Sequence, residues 1–268
     1  MNTLTIPEPL SRAALETVPG VLGKICLERF ADYQNAVIDD TFAVSKRPKF
    51  ATALKRDTLA VIAEVKRSSP SQGKIADLNP VDAARAYEAG GAAALSILTE
   101  PRHFGGELAH LEQVALHLNL PLLRKDFTVH PLQIVEAKRA GASAVLLIVA
   151  ATQQHTKTYL DFAHALGLDV LVEVHDKAEL EIALEAKSNI IGVNNRDLRT
   201  LEINLNNAPH LIQTAKNAGF TGVLVAESGY SRPEQLKSLR GLADAVLVGS
   251  SLAGSGDLTR ALKDLRAL

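Results

Sequence analysis

The 268-residue sequence has no tryptophan, and it contains a single cysteine, Cys26, and a single methionine. One cysteine excludes an internal disulfide framework and any metal site built mainly from thiolates. Aromatic residues make up only 4% of the chain, whereas hydrophobic residues together reach 47%. The chain can therefore bury a sizeable core, and aliphatic side chains must fill most of it.

An excess of charge is also absent, because the formal net charge is −1. Such a chain has no general electrostatic attraction for nucleic acid or for an anionic membrane. No apolar run approaches the length of a membrane span, and no secretory signal pattern opens the chain. The eight histidines form no metal-binding motif, and no GxGxxG follows a predicted strand. We therefore expect a soluble cytoplasmic protein without a metal ion or organic cofactor.

Eight short apolar runs alternate with amphipathic segments, which is typical of parallel βαβ units. The predicted strands lie near residues 59–64, 93–98, 120–124, 144–149, 168–173, 189–194, 222–227 and 244–249. The predicted helices between them cover residues 81–88, 107–118, 131–140, 154–166, 177–186, 209–218 and 233–239.

Eight such units admit either a closed (βα)8 barrel or an open doubly wound sheet. Polar residues follow most of the predicted strands, as they do around the active face of a barrel. An open sheet would concentrate them near one switch point instead. We therefore predict an α/β fold of a single domain, in which a (βα)8 TIM barrel over residues 58–268 follows an N-terminal helical extension over residues 1–57.

The extension is predicted to contain a helix that begins at Pro19-Gly20. Its apolar stripe consists of Leu22, Cys26, Phe30, Tyr33 and Val37. Two positions for the extension stay open, since it can cap the bottom of the barrel or frame the top. Residues 1–18 are polar and contain proline, so we expect them to be poorly ordered.

Charged side chains at the strand ends predict chemistry. Glu64 and Lys66 end the first strand and share one of its faces, because side chains alternate along a strand. Buried charges are costly unless they are paired or used. Lysines and glutamates that lie close together serve as general acids and bases, although for any single residue a structural ion pair is an open alternative. The further polar residues at strand ends are Glu100, Lys125, Glu173, Asn194, Arg196, Glu227 and Ser250.

Two glycine-bearing turns come late in the chain, around Ser228-Gly229 and Gly249-Ser250. Barrels often bind phosphate after their seventh and eighth strands, at the start of a short extra helix. The alternative is that these glycines only permit tight turns. A polar stretch over residues 68–74 joins directly to Lys66, and we expect it to be a lid whose opening limits turnover.

Eight motifs in chain order resemble those of the indole-3-glycerol phosphate synthase family. They are Glu64-Val-Lys-Arg-Ser-Ser-Pro-Ser71, Leu95-Ser-Ile-Leu-Thr-Glu100, Phe104-Gly-Gly106, Leu123-Arg-Lys-Asp-Phe127, Leu171-Val-Glu173, Val193-Asn-Asn-Arg-Asp-Leu198, Ala226-Glu-Ser-Gly229 and Val248-Gly-Ser-Ser-Leu252. The resemblance implies an enzyme of tryptophan biosynthesis. Such an enzyme converts 1-(2-carboxyphenylamino)-1-deoxyribulose 5-phosphate into indole-3-glycerol phosphate, carbon dioxide and water.

The resemblance also implies roles for individual residues. Lys125 matches the general acid of ring closure, and Lys66 matches the lysine that contacts the substrate carboxylate and assists dehydration. Glu173 matches the acid/base of the later steps, Glu64 orients the lysines, and Asn194 binds substrate. Because a lysine beside a second cation has a lowered pKa, we expect Lys125 to titrate below its usual range.

Further positions match contacts to the substrate or to its phosphate. The implied substrate contacts are Ser69, Leu98, Phe127, Arg196, Glu227 and Ser228. The implied phosphate contacts are Gly229, Gly249 and Ser250. The partner is thus a small phosphosugar, with no nucleic acid or membrane, and the chain is expected to be a monomer or a weak homo-oligomer.

Other functions on the same fold stay open. Phosphoribosylanthranilate isomerase would require a cysteine near the first strand end, whereas Cys26 lies in the extension. A Schiff-base aldolase would use Lys66 or Lys125, and borohydride trapping with a carbonyl substrate would reveal it. A catalytically silent phosphate-binding barrel would be expected to have lost the lysine or glutamate roles, and those residues are all present.

Overall fold

Eight parallel strands close into a barrel in the computed structural model, which describes residues 6–36, 47–71 and 73–267. Each strand pairs with the next, and the first pairs with the last. The predicted (βα)8 barrel is therefore confirmed. The strands are β1 Ala60–Val65, β2 Ala94–Leu98, β3 Leu122–Lys125, β4 Ala144–Ile148, β5 Asp169–Val174, β6 Ile190–Asn194, β7 Val223–Glu227 and β8 Ala245–Val248.

The strands are apolar on both faces because one face lines the barrel interior and the other packs under helices. In β4, for example, every residue is buried. The helices are α1 Arg12–Glu16, α2 Gly20–Tyr33, α3 Phe50–Leu54, α4 Pro80–Gly90, α5 Pro101–Phe104, α6 Leu108–His117, α7 Pro131–Arg139, α8 Val149–Thr152, α9 Thr156–Ala165, α10 Lys177–Glu185, α11 Asn207–Asn217, α12 Pro233–Leu236, α13 Ser250–Ala253 and α14 Leu258–Arg266.

The helix predictions differ from the structure mainly at their ends. The helix predicted from residue 209 begins at Asn207, and short 3-10 turns occupy Gln153–His155 and Lys237–Leu239. The short helices α1, α3, α5 and α8 and the C-terminal helix α14 were not predicted. Leu262 of α14 packs on Gly90 of α4, so α14 completes the outer layer beside the first barrel helix.

The N-terminal extension occupies both of the positions that the sequence left open. Arg29 of α2 binds Asp126, which directly follows β3, so α2 lies at the carboxyl end of the barrel. In α3, Phe50 and Leu54 are fully buried, and the Ala51 amide donates to Asp169 at the start of β5, 3.1 Å away. Hence α3 covers the amino end. The division into residues 1–57 and 58–268 stays a prediction.

The expectation of poor order over residues 1–18 is wrong for residues 6–18. The Leu10 amide donates to the Val129 carbonyl over 2.9 Å, and the Tyr159 hydroxyl lies 3.1 Å from the carbonyl of Glu8. Leu10, Leu15 and Val18 are buried, and their burial offsets the polar character of the stretch. Residues 1–5 and Val37 of the predicted stripe lie outside the described residues.

Among the described helices, none has both the length and the apolar character needed to span a bilayer. The same part of the chain contains no group of three or more histidine, cysteine, aspartate or glutamate side chains arranged to hold a metal ion.

Candidate active site

A cavity of about 330 Å³ opens at the carboxyl end of the barrel. It is lined by all but one of the residues that the sequence assigned to the site: Glu64, Lys66, Leu98, Lys125, Phe127, Glu173, Asn194, Arg196, Glu227, Ser228, Gly229, Gly249 and Ser250. The exception, Ser69, lines an adjoining crevice that also borders Lys66 and Phe127. The fold thus brings together residues from nearly every strand end.

The Lys125 ammonium lies between two carboxylates at the centre of the cavity. Its Nζ is 2.8 Å from Glu173 Oε2 and 3.3 Å from Glu227 Oε2. Lys125 ends β3, Glu173 belongs to β5 and Glu227 ends β7, so the three come from alternate strands. In (βα)8 barrels alternate strands direct their inward side chains into common layers. This layering brings residues that are far apart in sequence within hydrogen-bond distance.

Protonation in this cluster follows from burial and from the neighbouring charges. Burial disfavours the Lys125 ammonium, but the carboxylates of Glu173, Glu227 and Glu64 outweigh burial and raise the pKa of Lys125. The expectation of a lowered lysine pKa is therefore wrong. Its physical reason is that the nearest charges to Lys125 are carboxylates, while the second lysine, Lys66, is neutralised by its own partner.

The pKa values of the two carboxyl groups beside Lys125 are shifted in opposite directions. Burial raises the pKa of Glu227 to about 8, and the attraction of Lys125 offsets only part of this effect. Burial also disfavours the Glu173 carboxylate, yet Lys125 and His175 together lower the pKa of Glu173. Glu173 is therefore the stronger candidate for the ionised acceptor, whereas Glu227 keeps its proton to a higher pH than an ordinary glutamate does. Such a division is typical of paired acid and base groups.

A second lysine–glutamate pair lies at the carboxyl end of β1. Lys66 Nζ is 3.0 Å from Glu64 Oε1, and both side chains are largely buried. The same ammonium lies 5.6 Å from the centre of the Phe104 ring. Two glycines make space for the carboxylates, since a Cβ at Gly249 would overlap Glu64 and a Cβ at Gly192 would overlap Glu227.

Asn194 and Arg196 extend the polar network from the end of β6. Asn194 Nδ2 donates to Glu173 Oε1 over 3.0 Å, and Asn194 Oδ1 accepts the Arg196 amide over 3.0 Å. The Arg196 guanidinium donates to the Leu201 carbonyl over 2.8 Å and lines the cavity. Asn194 thus holds Glu173, while Arg196 supplies a cation at the rim.

An apolar wall faces these charges. Phe104 and Phe127 form a tilted ring pair with centroids 5.8 Å apart, and Leu98 and Leu198 line the same cavity. A planar aromatic group fits such a wall, because tilted and offset ring contacts are favourable.

Glycine and serine turns border the cavity after β7 and β8. The Ser251 hydroxyl donates to the Tyr230 carbonyl over 3.0 Å, which joins the two turns. The short helix α13 begins at Ser250, directly after the second of these turns. The first amide N–H groups of a helix have no acceptor within it, so they can donate hydrogen bonds to a bound anion.

One of the polar strand ends has a structural role instead. The Glu100 carboxylate is fully buried and accepts the amides of Arg102, His103 and Phe104 at the start of α5. The alternative of a purely structural charge therefore holds at this position.

Comparison with known proteins gives a consistent result. A model of the family described as indole-3-glycerol phosphate synthase matches residues 27–265. The chain is 54% identical over 261 residues to the indole-3-glycerol phosphate synthase of Deinococcus radiodurans, covering 94% of this chain and 97% of that protein. It is 42% identical over 243 residues to the enzyme of the same name from Methanopyrus kandleri, covering 89% and 95%.

The chain belongs to the indole-3-glycerol phosphate synthase family. Two solved structures share its fold at 16% identity, each covering 80% of this chain. One is a mutant tryptophan synthase alpha-subunit from Pyrococcus furiosus, with a TM-score of 0.60 and 99% of that chain covered. The other is a thiamine phosphate pyrophosphorylase from the same organism, with a TM-score of 0.57 and 96% covered.

Some residues around this synthase-family site were missed in the sequence. The carboxylate of Glu179 binds His175 beside Glu173, and the spacing of four residues at a helix start was an available signal. Phe104 stood in a family motif but was given no role. The buried pair of Arg29 with Asp126 had no such signal, because its members are 97 residues apart.

Proposed function

We propose that this chain is an indole-3-glycerol phosphate synthase of tryptophan biosynthesis. It would convert 1-(2-carboxyphenylamino)-1-deoxyribulose 5-phosphate into indole-3-glycerol phosphate, carbon dioxide and water. The observation that carries the proposal is the Lys125 ammonium held by Glu173 and Glu227, opposite an aromatic wall, in a chain of this family.

In the first step the ring carbon that bears the carboxylate attacks the sugar carbonyl carbon. A carbon–carbon bond forms, and the carbonyl electron pair moves to oxygen. We assign Lys125 as the acid that protonates this oxygen. The neighbouring carboxylates raise the pKa of Lys125, so its proton is present at neutral pH, and the alkoxide that forms on ring closure is the base that takes it.

Loss of carbon dioxide then restores the aromatic ring. The apolar wall of Leu98, Phe104 and Phe127 favours this step, since it surrounds the carboxylate with few groups that would solvate its charge. Lys66 orients that carboxylate, and Glu64 fixes the position of Lys66 through the 3.0 Å ion pair.

Dehydration completes the reaction. The hydroxyl group leaves as water with a proton from Lys66, and a base removes the proton from the adjacent ring carbon. Glu173 fits the role of base because Lys125 and His175 keep it ionised. Asn194 binds Glu173 and would align it, while Glu227 supports Lys125.

The remaining assigned residues would hold the sugar phosphate. Arg196 supplies charge, and the turns at Ser228-Gly229 and Gly249-Ser250 supply amides near the start of α13. Ser69 would join them from the adjoining crevice. The phosphate thereby sets the direction of the substrate, with its aromatic ring toward Phe127.

The proposal is tested by the fluorescence of the indole product, with Lys125→Ala beside the wild type. We expect turnover by the wild type and a loss of about 10²- to 10⁴-fold in kcat for Lys125→Ala. Lys157→Ala is the matched control, because Lys157 is an exposed lysine that pairs with the exposed Asp161, and its loss should leave kcat unchanged.

Other outcomes favour other functions. Binding of the substrate without turnover, measured by calorimetry, would indicate a catalytically silent barrel. A borohydride-trapped adduct on Lys66 or Lys125 would indicate a Schiff-base aldolase. Neither binding nor turnover would favour another enzyme acting on a phosphosugar.

The setting of this activity is also a proposal. We infer a cytoplasmic enzyme that works as a monomer or weak homo-oligomer on its phosphosugar, without nucleic acid. The net charge of −1 supports the last point, because nucleic-acid binding requires a positive surface.

A further inference from the structure

His175 occupies the side of Glu173 that faces away from Lys125. Its Nε2 is 3.2 Å from Glu173 Oε1, and the contact is an ion pair when the imidazole is protonated. Lys125 binds the other carboxylate oxygen. Glu173 is thus held between two cationic groups on different strand ends.

A second carboxylate fixes the ring of His175. Glu179 Oε2 is 2.9 Å from His175 Nδ1 and accepts the His175 backbone amide over 2.8 Å. The His175 carbonyl accepts Asn207 Nδ2, which also donates to the carbonyl of Asn194. These contacts leave the imidazole little freedom to rotate away from Glu173.

Charged groups from two elements and one loop surround this histidine. Glu173 faces it from β5, and Asp176 and Glu179 face it from the start of α10. The loop after β6 adds Arg196, Asp197, Arg199 and Glu202 across a shared cavity. Burial lowers the pKa of His175, but Glu173 and Glu179 outweigh this effect and raise it to about 10.

That shared cavity, of about 650 Å³, lies beside the first one and borders both His175 and Glu179. Its other walls come from α2, α8 and the loop after β6. The cavity meets the main site at Asn194 and Arg196. His175 lines this second cavity and not the first, so a small solute in the second cavity can contact it.

We propose that His175, fixed by Glu179, is a positioning residue that holds Glu173 in place as an ionised base beside Lys125. The proposal rests on the proposed synthase function, and it adds a second ion pair to the lysines and glutamates of that site. His175 acts through Glu173 and has no assigned contact with substrate.

Nuclear magnetic resonance tests the charge without requiring activity. The ring signal of His175, assigned by its absence in His175→Gln, is followed from about pH 5 to about pH 11. We expect the imidazolium to persist well above the ordinary pKa of histidine, and Glu179→Gln to lower its midpoint. An ordinary midpoint for His175 in the wild type would overturn the proposal, whether or not the chain is a synthase.

Kinetics test the positioning. We expect His175→Ala to lower kcat at least about tenfold while KM stays within about twofold. His175→Gln keeps a neutral N–H donor and should recover most of kcat. The acid limb of the pH profile of kcat for His175→Gln should move to higher pH by about one unit, because the cation that keeps Glu173 ionised is gone.

Two matched controls accompany these variants. Glu181→Gln changes an exposed glutamate of the same helix, and His117→Gln changes an exposed histidine of α6, so both should behave as wild type. Wild-type kcat and an unmoved acid limb in His175→Ala would overturn the proposal. A wild type without synthase activity would instead refute the proposed function.

Chemical rescue gives a further readout. Imidazole added to His175→Ala can enter through the second cavity, and we expect it to restore part of kcat. If His175→Ala does not fold, the resonance and pH-profile results with His175→Gln decide the question.

Discussion

Gly192 lies on β6 where the Glu227 carboxylate occupies the space that a Cβ would need. The Leu171 side chain would lie only 3.0 Å from the same Cβ, so neither neighbour can easily give way. A single missing side chain thus permits the carboxyl group that supports Lys125. At the residue scale, the site depends on such small features as much as on its charges.

The first prediction concerns this glycine. Gly192→Ala should displace Glu227 and lower kcat at least about tenfold, because the lysine loses its alignment. Overpacking should also lower the free energy of unfolding by about 1–3 kcal/mol. Urea unfolding and the fluorescence assay measure both. The control is Gly256→Ala, whose Cβ meets open space, and equal behaviour of the two variants would contradict the prediction.

The second prediction concerns pH and His175. Its pKa is raised in the folded protein to about 10, so its stabilising effect is complete below the unfolded value of about 6.5 and is lost as pH rises through about 10. We expect the difference in unfolding free energy between wild type and His175→Gln to shrink over this window. A constant difference, measured by urea unfolding at several pH values, would contradict it.

At the scale of elements, α2 is fastened to the barrel by a buried bidentate pair. Arg29 Nε and Nη2 lie 3.1 and 2.8 Å from the two oxygens of Asp126. Asp126 also accepts hydrogen bonds from Thr99 and Arg124, and it lies between Lys125 and Phe127 in the sequence. Helix α2 therefore contacts the segment that positions Lys125.

The third prediction follows from this pair. Arg29→Ala leaves Asp126 buried with one fewer cation, and removal of one partner of a buried pair costs about 3 kcal/mol. Urea unfolding should show this loss. Arg12→Ala, which breaks only an exposed pair with Glu16, should be neutral. A similar small effect for both variants would contradict the prediction and would show that Arg124 alone compensates the buried charge of Asp126.

The fourth prediction concerns the segment after β1, where Ser68–Ser69 pairs with Gly73–Lys74 as a short antiparallel ribbon. The Ser68 hydroxyl donates to the His103 carbonyl over 3.2 Å and fastens the ribbon near α5; Gln72 lies outside the described residues. If opening of this lid limits product release, kcat falls in viscous solvent. Ser68→Ala should raise kcat about twofold and weaken that dependence. No change in either would refute the lid.

At the scale of the whole molecule, the described surface exposes few large apolar side chains. Leu116 and Ile203 are the large hydrophobic residues exposed within the described ranges, and Ile203 borders the cavity of the candidate active site. Stable interfaces generally require a larger apolar centre.

The fifth prediction is therefore a monomer. Light scattering after size exclusion should give a mass close to 28.7 kDa at micromolar concentration. A dimer mass that persists on dilution would contradict the expectation and would direct attention to the described surface around Leu116.

The alternation of strands and helices could be predicted from the sequence, because apolar periodicity is a local pattern along the chain. The sequence also indicated the charged residues at the strand ends that line the cavity, since in a parallel barrel all strand ends meet at one face. Lys125, Glu173 and Glu227 are visible in this way without any knowledge of their distances.

The effect of those residues on one another's pKa depends on the folded arrangement and could not be predicted from the sequence. The pKa of Lys125 is raised rather than lowered because folding places Glu173 and Glu227, from 48 and 102 residues away, against its ammonium. The order of residues 6–18 and the pair of Arg29 with Asp126 likewise depend on surfaces formed by distant segments. Electrostatics and burial act through space, and a sequence pattern reports only what lies nearby along the chain.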